Sequence, residues 1–192
     1  PADNWDNLVK TGKGKSYGVE LSLAYKDRYN VIEAGYTLSW SLQKFTDFYP
    51  DWYSSKFDNR HKLNIAFRHK FDDHIDAYAA WVYRSGDRAT VPTQYVNGPS
   101  FPGTPDSSEP ELIYEKPNNI TRQAYHRLDL GVNFRRITKR GFERIWNISV
   151  YNAYCRMNAF YTRIERLPDG GFRGKGFGIF PIIPSFCYTL KF

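Results

Sequence analysis

From Val31 to Gln43 the chain alternates apolar and polar side chains without a break. Ile32, Ala34, Tyr36, Leu38, Trp40 and Leu42 take one face; Glu33, Gly35, Thr37, Ser39, Ser41 and Gln43 take the other. A period of two is that of a β-strand with one apolar face, and a helix, with its period of about 3.6, would scatter these residues around its axis. The run is longer than the about five or six residues of an average globular strand. It reaches the length of about 9–11 residues needed to cross a bilayer at a tilt.

The pattern recurs along the chain. In Ser16 to Tyr25, Tyr17, Val19, Leu21 and Leu23 alternate with Gly18, Glu20, Ser22 and Ala24. In Arg60 to Phe71, Leu63, Ile65 and Phe67 oppose Lys62, Asn64, Ala66, Arg68 and Lys70. Tyr125 to Arg135, Arg144 to Tyr154 and the last ten residues repeat the theme. Ile75 to Arg84 reads as a strand too, but apolar side chains occupy both of its faces, so its register stays open. Connections alternate in length: 26–30, 72–74 and 138–141 are tight and polar, whereas 47–59, 85–123 and 155–181 are long, the middle one rich in Pro and Gly. Such alternation is that of an antiparallel meander with short periplasmic turns and long outer loops. Aromatics make up 18% of the residues, and many lie on the apolar faces near strand ends, where rings suit a membrane boundary.

Composition removes other classes. No stretch approaches the roughly 20 apolar residues of a spanning helix. The aromatic load argues against disorder, and Cys 2 is too few for a disulfide framework. The mean hydropathy of -0.62 would suit a soluble chain, but alternation hides an apolar stripe inside a polar average. A soluble β-sandwich, or a basic β-domain for polyanions suggested by the net charge of +7, is the competing reading. About seven strands are an odd number, whereas single-chain bacterial barrels use an even number of about eight or more. An open sheet in hydrocarbon would leave edge N–H and C=O groups unpaired. Partner strands from other sequence are therefore expected. Pro1-Ala2-Asp3-Asn4-Trp5 is neither a start methionine nor a signal peptide, which predicts a chain that has been cut, processed or taken from a longer one.

Several segments carry a resemblance. They are Gly14-Lys15-Ser16-Tyr17-Gly18-Val19-Glu20-Leu21, Asp58-Asn59-Arg60-His61-Lys62-Leu63-Asn64, Tyr83-Arg84-Ser85-Gly86, Tyr125-His126-Arg127-Leu128-Asp129-Leu130, Trp146-Asn147-Ile148-Ser149-Val150-Tyr151-Asn152 and the closing run Phe180 to Phe192. In this order they resemble the C-terminal third of Bacteroidetes TonB-dependent outer-membrane receptors, of the kind with a carboxypeptidase-regulatory-like domain and a plug. The resemblance implies an all-β fold: an antiparallel transmembrane β-barrel segment in which residues 1–192 supply about seven strands of a larger barrel of about 22. It implies import of a scarce ligand across the outer membrane, with the C-terminus periplasmic and the long loops extracellular. The alternative is a barrel subunit of a larger complex with a surface lipoprotein, transport being secondary or lost. Implied partners are outer-membrane lipids, the remainder of the barrel and its plug, and the TonB complex through an N-terminal part absent from this sequence. Phe186, Tyr188, Leu190 and Phe192 resemble a C-terminal assembly signal.

Individual residues follow from register and chemistry. Glu20, Glu33, Lys62, Arg68, Arg127, Asp129 and Arg135 are expected on the polar, lumen- and plug-facing side. Phe48, Tyr49, Trp52 and Tyr53, with Tyr95 and Phe101, are loop aromatics suited to stacking on a flat ligand or packing against a partner. His61, His69, His74 and His126 lack metal-site spacing. No nucleophile elbow or phosphate-cradling glycine loop is present, so no catalytic residue, metal, cofactor or nucleic-acid partner is expected.

Overall fold

The computed structural model describes residues 9–47, 49–96, 111–167 and 171–192. The described residues form an antiparallel all-β structure without helix. Its long strands are β1 (Lys13–Lys26), β2 (Asn30–Phe45), β4 (His61–Lys70), β5 (Ile75–Arg84), β10 (Tyr125–Ile137), β11 (Glu143–Tyr151) and β14 (Ile183–Lys191). They lie side by side in chain order, and β3 (Tyr49–Ser54) pairs with β2 to bring this sheet to eight strands. Three further two-stranded sheets arise within the long connections: β6 (Arg88–Ala89) with β9 (Ile120–Thr121), β7 (Gln94–Val96) with β8 (Glu111–Ile113), and β12 (Ala159–Arg166) with β13 (Phe172–Gly178).

Each alternating run of the sequence coincides with one long strand, and the register explains why the faces agree. Leu21 stands opposite Tyr36, Tyr36 opposite Leu63, and Leu63 opposite Tyr83. The open register of residues 75–84 is settled by neighbours on both sides. Trp81 faces Ile65 of β4 and Leu128 of β10, so Ile75, Ala77, Ala79, Trp81 and Tyr83 join the apolar face. Asp76, Tyr78, Ala80, Val82 and Arg84 then join the polar face, where Tyr78 lies opposite Gly131. A Cβ on Gly131 would overlap the Tyr78 ring, so the glycine makes room for an aromatic that covers bare backbone.

Short polar side chains close the tight turns. Asp27 Oδ1 accepts from the N–H groups of Tyr29 at 2.7 Å and Asn30 at 2.6 Å. Together with the Asn30 side-chain amide, the largest contributor, these bonds hold its carboxyl down at about 2. Asp72 does the same for His74 and Ile75, at 2.6 and 2.8 Å. Thr138 Oγ1 accepts from Phe142 N, and Gly141 supplies the φ of 86° that the turn needs. The Asp and Thr side chains mimic a backbone turn, which is why so few residues suffice there.

Packing differs from that of a two-layer domain. Tyr53, 2% exposed, and Val91 are the buried apolar residues among those described. Neither face of the main sheet is covered by another layer of described residues, and every residue of β1 and of β14 is exposed. Among the described residues no strand pairs with the outer edge of either.

Candidate functional site

The sheet presents two chemically opposite surfaces and one elaborate end. On the apolar surface Leu21 is 63% exposed, and Val19, Leu23, Ile65, Phe67, Leu130, Ile148 and Phe186 are exposed beside it. Aromatic rings gather towards both ends of this surface. Tyr17 stacks on Trp40 at 5.4 Å near the long connections, and Trp146 meets Tyr188 at 5.7 Å near the tight turns. Three histidines on this face each have a polar partner: His61 with the Tyr36 hydroxyl at 2.8 Å, His69 with Asn30 at 2.8 Å, and His126 with the Tyr154 hydroxyl at 2.7 Å. The four residues resembling an assembly signal, Phe186, Tyr188, Leu190 and Phe192, are all exposed, Phe192 at 99%. The first three stand on the apolar side opposite Ile148, Trp146 and Arg144.

The register brings Glu20, Glu33, Lys62, Arg68, Arg127, Asp129 and Arg135 to one face, the polar one. There they join networks that the sequence does not announce. Arg68 grips Asp76 with two donors at 3.1 and 3.0 Å, and Asp76 also accepts from Asn133, which accepts from Asn147. Glu143 bridges Arg135 at 2.7 Å and Lys191 at 3.2 Å. Arg127 pairs with Asp129 at 2.8 Å and lies over the Tyr151 ring at 4.1 Å. Beside these networks, across β1, β2, β4 and β5, lies a trough floored by small residues, among them Ser22, Ala24, Gly35, Ala66 and Ala80, with a cavity volume of about 430 Å³.

At the end bearing the long connections, one buried carboxylate organises the loops. Asp58, its side chain 1% exposed, accepts from Ser41 N at 2.9 Å and Arg60 Nη2 at 3.1 Å, with Arg88 Nε at 3.8 Å. Burial pushes its pKa up, but the Ser41 N–H and the Arg60 guanidinium outweigh that and hold it below the ordinary carboxylate value. Nearby, Arg122 donates twice to Asp87 at 2.6 Å, and Asn118 reaches back to the Ser54 carbonyl at 2.7 Å. Asn152, at a φ of 55°, donates to the carbonyls of Arg156 and Phe180 and so ties the start and end of the 152–182 connection. Of these residues, Ser41, Asp58, Arg60, Asn152 and Phe180 sit in runs that stand out in the sequence, whereas Asp87, Arg88, Asn118 and Arg122 do not. Apart from Arg60 beside Asp58 and Arg156 beside Asn152, the partners lie far along the chain, and no local spacing marks them.

The loop aromatics take separate positions. Tyr49 meets Tyr53 edge-on at 5.7 Å, and the burial of Tyr53 turns its ring to packing rather than to a ligand. Trp52 remains partly exposed with Lys15 Nζ 4.3 Å above its ring. Tyr95 carries the Arg166 guanidinium at 3.7 Å. Phe48 and Phe101 lie outside the described residues. Cys155 and Cys187 are free and exposed. No family model matches the chain, and neither does any curated protein or solved structure.

Proposed function

We propose that the chain is the C-terminal part of the β-barrel of a TonB-dependent outer-membrane receptor that imports a scarce ligand past a plug. The observation that carries this reading is the uncovered apolar face. Seven strands about 4.8 Å apart and about ten residues long make a surface on the order of 1,000 Å². The largest apolar patch of an ordinary soluble monomer is about 300–600 Å². Hydrocarbon is the solvent in which such a face is stable, and aromatics near both ends suit the two interfaces.

The rest of the geometry supports the same conclusion. In a barrel wall the face opposite lipid is polar and meets water or a plug. Here that face carries paired charges and a trough of small residues, Ser22, Gly35 and Ala66 among them, with room for a covering domain. The free edges of β1 and β14 would be completed by strands from the rest of the closed barrel, since unpaired edges are costly in a membrane. All tight turns fall at one end and all long connections at the other, the arrangement of periplasmic turns and outer loops.

Membrane fractionation of cells producing the full-length protein tests the membrane half of this reading. Retention through alkaline washing and release by detergent are expected. Release into aqueous buffer without detergent would overturn it and favour the soluble basic domain. Capture of the detergent-extracted protein by the periplasmic domain of TonB tests the receptor half, and failure of capture by a protein whose N-terminal part is intact would favour the lipoprotein-complex alternative.

A further inference from the structure

Two neighbouring cations of the polar face, Lys62 and Arg84, form no ion pair with another described residue. Arg84 of β5 stands directly across from Lys62 of β4. Like charges in directly opposed positions destabilise a sheet. Three nearby guanidiniums are compensated by carboxylates, Arg122 by Asp87 at 2.6 Å, Arg127 by Asp129 at 2.8 Å and Arg60 by Asp58 at 3.1 Å, while Arg156 spends its donors on Asn158 and the Ala124 carbonyl. Neither Lys62 nor Arg84 has a carboxylate within ion-pair distance among the described residues. Arg84 has the Tyr125 ring 5.8 Å away instead.

Arg84 is also part of the wall of a cavity of about 320 Å³, together with Tyr125, Tyr151, Phe160 and Phe180. That volume lies at the lower end of the about 300–1,000 Å³ of small-molecule sites. Two asparagines in the same wall are turned to the backbone: Asn152 donates both amide hydrogens, to the Arg156 and Phe180 carbonyls, and Asn158 donates one to the His126 carbonyl. Arg122 is neutralised, so Arg84 is the cation left to meet a guest. Phe160 and Phe180 are 67% and 54% exposed, which leaves apolar ring surface unoccupied. A free guanidinium beside uncovered rings matches a guest with a charged head and a ring body.

We propose that this cavity binds a small organic carboxylate with a ring body, its carboxylate on Arg84 with Lys62 in support and its ring against the tyrosine and phenylalanine side chains. The guanidinium fork can donate two parallel N–H bonds to the two carboxylate oxygens, and the bound anion relieves the repulsion between Arg84 and Lys62. The inference needs the polar face and the cavity alone, so a protein released without detergent would leave it intact.

The test is binding of phenylacetate, its neutral isostere phenylacetamide and inorganic phosphate to the full-length protein, read by equilibrium dialysis. Phenylacetate should bind about tenfold or more tightly than phenylacetamide, the scale of a charge-assisted bond, and more tightly than phosphate, which lacks the ring. Arg84→Gln should erase the preference for phenylacetate over phenylacetamide, Lys62→Gln should reduce it, and Arg84→Lys should restore part of it. Arg163→Gln, on the β12–β13 hairpin, should leave it unchanged. The Arg84 side chain makes no hydrogen bond to another described residue, so its variants should keep the wild-type thermal transition. Equal affinity for phenylacetate and phenylacetamide, or full preference in Arg84→Gln, would overturn the proposal. Binding of phosphate as tight as that of phenylacetate would overturn the ring subsite. No binding of any probe would also overturn it and assign the two cations to an acidic side chain of a covering domain.

Discussion

Replacing Asp58 with alanine should loosen the long connections while leaving the tight-turn end of the sheet intact. The carboxylate receives Ser41 N at 2.9 Å and Arg60 Nη2 at 3.1 Å, and its side chain is 1% exposed. Removing one partner of a buried ion pair costs about 3–5 kcal/mol, because the other charge stays behind uncompensated. The Arg60 and Arg88 side chains keep 32% and 28% exposure, so both guanidiniums can turn towards water, which places the cost near the lower bound, at about 3 kcal/mol. At 1.4 kcal/mol per tenfold, the local opening equilibrium should shift by about a hundredfold. Asp58→Asn keeps an acceptor for Ser41 N and loses only the charge, so it should cost less. Hydrogen exchange of the full-length protein is the assay. Amides in 85–96 and 111–122 should exchange about a hundredfold faster in Asp58→Ala, and those of 27–30 and 72–75 at wild-type rates. Unchanged exchange in the loops, or equal acceleration over the whole chain, would refute the assignment of Asp58 as the organiser of this end.

Other predictions test other parts of the fold. Gly131→Val would force a side chain into the Tyr78 ring and should destabilise the protein by about 1–3 kcal/mol, whereas Gly35→Ala, with nothing within 4 Å of its Cβ, should be tolerated; thermal unfolding in detergent compares them. On the membrane reading, Ile65→Arg should cost about 2–4 kcal/mol in the same assay and Asn64→Arg close to nothing, because adjacent residues meet different solvents. Equal effects would contradict it. Asp27 is an ordinary carboxylate unfolded and is held at about 2 in the turn, so the folded state is favoured above the unfolded value and loses that support as the pH falls from about 4 towards 2. An NMR titration of the Asp27 carboxyl with a midpoint near 4 would refute the turn geometry.

The strands were legible because alternation is local: Tyr17 to Tyr25 or Ile32 to Leu42 declare their faces without reference to any other residue. Residues 75–84 were not, because Ala79 and Ala80 are equally small on either face and only pairing with Leu128 and Ile65 decides between them. The polar side was legible as a set of charges but not as circuits. Whether Arg68 meets Asp76 or solvent depends on two strands coming into register. Inside the long connections, β3 and the three small sheets escaped notice because their pairings span distant segments, and because Pro and Gly suppress periodicity there. The burial of Tyr53 escaped for the same reason, since an aromatic-rich loop reads as ligand-facing until a neighbour covers it.

Spatial order in the main sheet repeats chain order, and this shapes how the molecule can form. Each long strand pairs with the long strand before it, so the sheet can grow one hairpin at a time and keeps only two ends at every stage. Closing the span from Arg84 to Tyr125 costs only about 2 kcal/mol more in chain entropy than closing a three-residue turn. Insertions in the long connections would therefore slow assembly little. A lesion in β2 is different in kind: it removes the template on which both β1 and β4 are laid, and would divide the growing sheet in two.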